Sequence, residues 1–174
     1  VLARQGRHAE MEFFLRQAMS AFESGGLARD NPNWLDSRRG ELARNLRSQR
    51  RYVEAEIVAR DALLKVLERG GKISGKVAKL VRDLGNILKA QGRYDDAEAL
   101  IRAAIDIFEK SGTPPDSFSL MITRFSLALT LMAQEDWQGA IKALELSRQG
   151  NQTAYDQRLG DRPFMAQALL MTGR

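Results

Sequence analysis

The chain has 174 residues with 27 Lys and Arg against 22 Asp and Glu, a formal net charge of +5. This length suits one ordinary domain or a short repeat array, and a hydrophobic content of 44% with 28% charged residues excludes a disordered segment. There is no Cys, which excludes disulfides, thiolate zinc sites and Cys nucleophiles, and only one His, which excludes a metal site built from several His.

The longest apolar stretch, near Phe125 to Ala133, falls far short of the ~20 residues of a membrane span. No signal-peptide pattern is present, so the expected location is the cytoplasm, with no membrane partner. A pI of about 9.8 favours acidic partners over basic ones. Arg dominates over Lys along the whole length, a composition that hints at a GC-rich bacterial genome.

An internal repeat organises the chain. Its four copies are Gln5-Gly6-Arg7-His8-Ala9-Glu10-Met11-Glu12, Gln49-Arg50-Arg51-Tyr52-Val53-Glu54-Ala55-Glu56, Gln91-Gly92-Arg93-Tyr94-Asp95-Asp96-Ala97-Glu98 and Gln134-Glu135-Asp136-Trp137-Gln138-Gly139-Ala140-Ile141. The spacing sets a partial repeat at 1–33, full repeats at 34–74, 75–116 and 117–158, and a partial repeat at 159–174, all in one array.

The predicted elements follow in order. Val1 to Gly6 reads as the end of one helix, with a second starting near His8. A hairpin follows whose first helix starts near Asp36 and whose second starts near Tyr52. The clearest unit comes next. Leu80, Leu84, Ile87 and Leu88 recur at helical spacing, and Gly92 stands where a helix end favours positive φ. A second helix from Tyr94 carries Ala97, Leu100, Ile101, Ala104, Ile105 and Phe108. Gly112 ends it, and Pro114-Pro115 block continuation. A third hairpin turns at Trp137. A last helix near Asp161 has Phe164, Met165, Ala168 and Leu169 as its apolar face. No alternating β-branched run predicts a strand.

Small residues recur at fixed offsets: Gly85, Ala97 and Ala104; Ala43, Ala55 and Ala62; Ala128, Ala140 and Ser147. They mark close helix approach, and Tyr52, Tyr94 and Trp137 are expected to fill the space between hairpins.

The segment Leu84-Gly85-Asn86-Ile87-Leu88-Lys89-Ala90-Gln91-Gly92-Arg93-Tyr94-Asp95-Asp96-Ala97-Glu98 resembles a tetratricopeptide repeat (TPR) at its Leu-Gly, aromatic and Ala positions. The long period is similar to the variant of kinesin light chains and of many bacterial multidomain proteins. The resemblance is strong over 78–110, good over 36–66 and 121–147, and weak over 1–25. His8 and Met11 depart from the pattern in the first copy, and Glu135-Asp136 replace Gly-Arg in the last full one. It implies an all-α, right-handed superhelical solenoid of antiparallel helix pairs, with about eight helices. The first helix of each pair would line a concave face that binds extended peptides.

The register places Ser37, Glu41, Arg44 and Arg47 on that face, then Lys79, Arg82, Asp83, Asn86 and Lys89, then Ile122, Phe125, Leu129 and Met132. The candidate peptide-binding residues are Arg44, Arg47, Lys79, Arg82, Asn86, Lys89, Phe125 and Leu129, suited to an acidic or amphipathic segment. Lys79, Arg82 and Asn86 partly resemble the family's carboxylate clamp, but Glu41 and Asp83 break the pattern. Gly70-Gly71-Lys72-Ile73-Ser74-Gly75-Lys76 has the glycine spacing of a phosphate loop. Val77 stands where Ser or Thr is needed, and the preceding segment is helical, so nucleotide binding is set aside.

The expected function is a non-catalytic protein-interaction scaffold without metal or cofactor. The alternatives are a nucleic-acid-binding helical repeat or the regulatory repeat region of a larger multidomain enzyme. Met165, Leu169 and Leu170 would be left partly uncovered. The array is therefore expected to continue in a longer protein, or else to self-associate through its terminal helices.

Overall fold

The computed structural model describes residues 2–27, 30–70, 73–148 and 162–173, with backbone only at 2–5 and 162. The last part of the third full repeat, the start of the final one at Asp161, residues Gly71 and Lys72 of the glycine-rich stretch, and Val1 and Arg174 lie outside the described residues. The described residues form eight helices and no strand: α1 Leu2–Ser24, α2 Pro32–Ser48, α3 Tyr52–Glu68, α4 Gly75–Ala90, α5 Tyr94–Lys110, α6 Phe118–Ala133, α7 Trp137–Arg148 and α8 Arg162–Met171. They fall into two compact units, Val1–Lys72 and Ile73–Arg174.

In the first unit α2 and α3 form a hairpin and α1 packs on α2. Pro32 opens α2, where its missing N–H costs nothing. The repeat pattern predicts a helix boundary at Gly6 to His8, but α1 runs through it. A Cβ at Gly6 would meet nothing within 4 Å, so no neighbouring helix forces a turn there. His8 and Met11 stand where the other copies have a Tyr or Trp and an Ala. An ion pair and a hydrogen bond hold α1 in place: Glu12 pairs with Arg51 from the turn before α3, and Gln49 donates to Glu12 at 2.9 Å. Phe22 stacks on Trp34 with ring centroids 4.3 Å apart.

In the second unit α4–α5 and α6–α7 are hairpins, and α8 packs on α7. The α4 stripe of Leu80, Leu84, Ile87 and Leu88 is buried, as are Ala97, Ile101, Ala104 and Phe108 of α5. Gly85 is the closest approach in the hairpin: a Cβ there would sit 2.8 Å from Ile101 Cγ1 and 3.2 Å from the Ala97 carbonyl. Ala128, Ala140 and Ser147 are buried in α6–α7, as Ala43, Ala55 and Ala62 are in the first unit. Tyr52, Tyr94 and Trp137 are all half-buried.

The hairpin turns share one hydrogen-bond pattern. Arg51, Arg93 and Asp136 donate their N–H to the carbonyls of Leu46, Leu88 and Leu131 at 2.9–3.0 Å. The residue before each takes positive φ: Arg50, Gly92 and Glu135. This is the Schellman closure of a helix C-terminus. Glu135-Asp136 therefore makes the same turn as Gly-Arg. Its Asp136 side chain also accepts from the Gly139 N–H at 2.9 Å, capping α7.

The glycine-rich stretch after α3 serves helix ends. Gly70 takes φ 84° just past α3, and the Ser74 hydroxyl accepts from the Val77 N–H to cap α4.

Candidate peptide-binding surface

On α4 the residues Lys79, Arg82, Asn86 and Lys89 follow one another at spacings that share a helix face. Lys79 is exposed, and the other three are half-buried. The opposite face is the buried leucine stripe. A strongly amphipathic helix of this kind needs its polar stripe at the surface, which is why these side chains reach water.

Three of the four, Arg82, Asn86 and Lys89, are already engaged. Arg82 donates to Asp83 Oδ1 at 3.0 Å, and Asp83 is only 4% exposed. The guanidinium thus compensates a buried carboxylate, as well as facing outward. Asn86 donates through Nδ2 to the Ser126 hydroxyl of α6 at 3.4 Å. Ser126 was missed as a member of this surface, though the register holds the signal: it stands one repeat after Asp83.

On α6 the stripe Ile122, Phe125, Leu129 and Met132 is half-buried throughout. Phe125 and Met132 pack against the core of the unit, and the Phe125 ring meets Phe164 of α8 edge-on at 5.5 Å. Asn86 and Ser126 thus join a cationic strip on α4 to an apolar strip on α6.

In the first unit the equivalent face of α2 carries Ser37 and Arg44 exposed and Arg47 half-buried. Arg44 and Glu41 line a pocket of about 210 Å³ with His8 and Met11 of α1. Glu41 pairs with Arg38 at 2.7 Å.

Elsewhere in the second unit, Arg124 is 8% exposed and donates to the carbonyls of Pro115 and Leu146 at 3.2 and 3.1 Å and to Glu109 at 3.3 Å. It borders a cavity of about 330 Å³ between α5, α6 and α7. The sequence gives no local signal for this residue, because its partners lie on three separate segments.

Two carboxylates in the first unit are shifted. Burial pushes Glu12 up, but hydrogen bonds from Gln49 and Arg16 and the charge of Arg51 outweigh it and hold the carboxyl below its ordinary value. A hydrogen bond from Arg51 does the same for Glu54. Both belong to the ion network at the α2–α3 turn. Among the described residues no group of three or more His, Asp or Glu side chains could hold a metal ion. No helix among them is long and apolar enough to cross a membrane.

A profile described as tetratricopeptide repeat matches Val77 to Ser111, the α4–α5 hairpin that carries the cationic strip. Residues 77–111 are a tetratricopeptide repeat. Solved structures extend the likeness to the other hairpins. The crystal structure of BtubC (BKLC) from P. vanneervenii superposes over 98% of this chain and 66% of its own, with a TM-score of 0.76 and 21% identity. A Podosopora anserina kinesin light chain homologue with nearly identical TPR-like repeats matches 78% of this chain and 65% of its own, with a TM-score of 0.69 and 19% identity. Its Q17M form gives a TM-score of 0.72 at 20% identity, over 82% and 68% of the two chains. The chain spans about two thirds of the length of these structures. No curated protein matches it. The fold is therefore that of TPR-like repeat solenoids, an all-α class whose members generally serve as protein-interaction scaffolds.

Proposed function

We propose that this chain is a non-catalytic scaffold of the cytoplasm whose α4 and α6 bind an acidic, amphipathic protein segment. One observation carries the reading. Lys79, Arg82, Asn86 and Lys89 form a surface strip on α4, directly beside the half-buried apolar strip of α6 that includes Phe125 and Leu129. An extended segment with alternating acidic and apolar side chains complements both strips. Asn86 offers a donor and an acceptor to its backbone. In the first unit Arg44 and Arg47 occupy the same register on α2 and extend the preference for acidic ligands there.

A nucleic-acid reading has less support. Many of the arginines and lysines pair with acids one helical turn away, including Arg60 with Glu56, Arg102 with Glu98 and Lys110 with Asp106. Such pairing leaves less uncompensated charge for phosphates. Placement as the regulatory region of a larger enzyme remains compatible with the same binding surface.

Chemical-shift mapping with acidic amphipathic peptides tests the proposal. Perturbations gathered on α4 and α6 support it. Perturbations confined to α5 and α7, or none at millimolar peptide, overturn it.

A further inference from the structure

On α3 the residues Val53, Ile57, Arg60, Leu64 and Leu67 follow one another at alternate spacings of four and three, the seam of a coiled coil. Val53, Ile57 and Leu64 are 70%, 63% and 55% exposed. The core of the unit takes the other side of the helix, through Ala55, Ala59, Ala62 and Val66. At the same register α5 carries Asp95, Ala99, Arg102, Asp106 and Glu109, all exposed. On α7 the first three of these places hold Gln138, Lys142 and Glu145, also exposed. These positions therefore face outward in every hairpin, and only α3 fills them with large apolar side chains. Scattered singly they would need no explanation, but a continuous stripe marks an interaction surface.

The edges of the stripe determine what fits it. Along one edge stand Glu54, Asp61 and Glu68, one per heptad and every one acidic. The other edge begins with Glu56. Glu54 pairs with Arg51 at 2.6 Å and Asp61 with Lys65 at 2.9 Å. Both pairs are exposed, so they contribute little and exchange readily for a new partner. Arg60, the one charge inside the seam, donates to Glu56 at 2.9 Å, which leaves its aliphatic stem to the stripe.

We propose that this face of α3 receives an amphipathic helix of another protein, apolar along its seam and basic along its edges, packed as a two-helix coiled coil. Charge selects this occupant over a second copy of the chain. Two α3 helices packed antiparallel would set the edge of Glu54, Asp61 and Glu68 against itself. Packed parallel, they would set Glu56 against Asp61. Either way acid meets acid, whereas Lys or Arg on a partner helix complements the edge. The net positive charge of the whole chain does not oppose this, because salt confines the effective charges to those within about 8–10 Å. The surface uses none of the residues of the α4–α6 strips and takes a ligand of the opposite charge.

Fluorescence anisotropy on the full chain tests this with labelled helical peptides of roughly three heptads. One has an Ile and Leu seam with Lys on both edges. A second keeps the seam and carries Glu on the edges, and a third keeps the Lys content but scrambles the seam. The Lys-edged peptide is expected to bind, and each of the others to bind about tenfold more weakly or worse. Ile57→Ser and Leu64→Ser, both at exposed positions, are each expected to weaken the Lys-edged peptide about tenfold with an unchanged melting temperature. A Lys-edged peptide that shows no binding at millimolar concentration overturns the proposal. So does one that binds no better than either control peptide, or as tightly to Ile57→Ser as to wild type. A dimer of the wild-type chain that Ile57→Ser abolishes overturns it in favour of a second copy.

Discussion

Glu135 and Gly92 hold the same left-handed backbone conformation, φ 65° and 82°, at equivalent turns of successive hairpins. Only the glycine adopts it without steric cost. Arg50 shares the strained state at φ 64°. The turn survives because the carbonyls of Leu46 and Leu131 each gain a closing hydrogen bond.

Glu135→Gly and Arg50→Gly should therefore each raise stability, by about 0.5–1 kcal/mol. Gly92→Ala should lower it by a similar amount. Urea midpoints of the three variants check the signs.

The hairpin interior gives a second expectation. Ala97 is fully buried and its carbonyl faces Gly85. Ala97→Leu should force α4 and α5 apart and cost ~1–3 kcal/mol. Gly85→Ala should also destabilise, since its Cβ would crowd Ile101. An unchanged melting temperature in Ala97→Leu would contradict this close packing.

Arg124 supports a third. It ties α6 to the loop before it and to the end of α7, so Arg124→Met strands two backbone carbonyls and should cost about 1–3 kcal/mol. Arg124→Lys should restore little, because an ammonium cannot reproduce the planar fork. Glu109 is 54% exposed, and Glu109→Gln should be close to neutral. Thermal melts of the three variants separate these outcomes.

The fourth concerns pH. Glu12 titrates below its ordinary value of 4.5 in the folded chain. A depressed carboxyl stabilises the fold above its unfolded pKa, and this stabilisation is lost as pH falls through the folded pKa. Stability should drop with pH below about 5, and Glu12→Gln should flatten that slope while lowering stability at neutral pH. The slope should not vanish, because Glu54 is shifted the same way.

Much of this architecture is legible in the sequence, and its limits have physical causes. The α4–α5 hairpin can be read because Gly85, Gly92, Tyr94 and Ala97 each answer a local need for close approach, a turn or filled space. The last full copy remains readable despite Glu135-Asp136, since a helix C-terminus tolerates one strained residue. α1 is where the reading fails. A glycine inside a helix costs only about 1 kcal/mol, so Gly6 forces no turn without a packed neighbour. On the candidate surface, spacing alone places Lys79, Arg82 and Asn86 together. It gives no sign that Arg82 serves the buried Asp83, which depends on how α4 packs in its unit. For that reason Arg82→Glu is a poor test of binding: it sets a second carboxylate beside Asp83 and should destabilise the unit.

Lys79 is exposed and gives the cleaner test of the binding surface. Peptides selected on the chain from a random display library should be acidic with apolar anchors. Their affinity for Lys79→Glu should fall about three- to tenfold relative to wild type, with an unchanged melting temperature and a weaker salt dependence. A library that yields no binder, or binders whose affinity is the same for wild type and Lys79→Glu, would contradict a binding surface on α4.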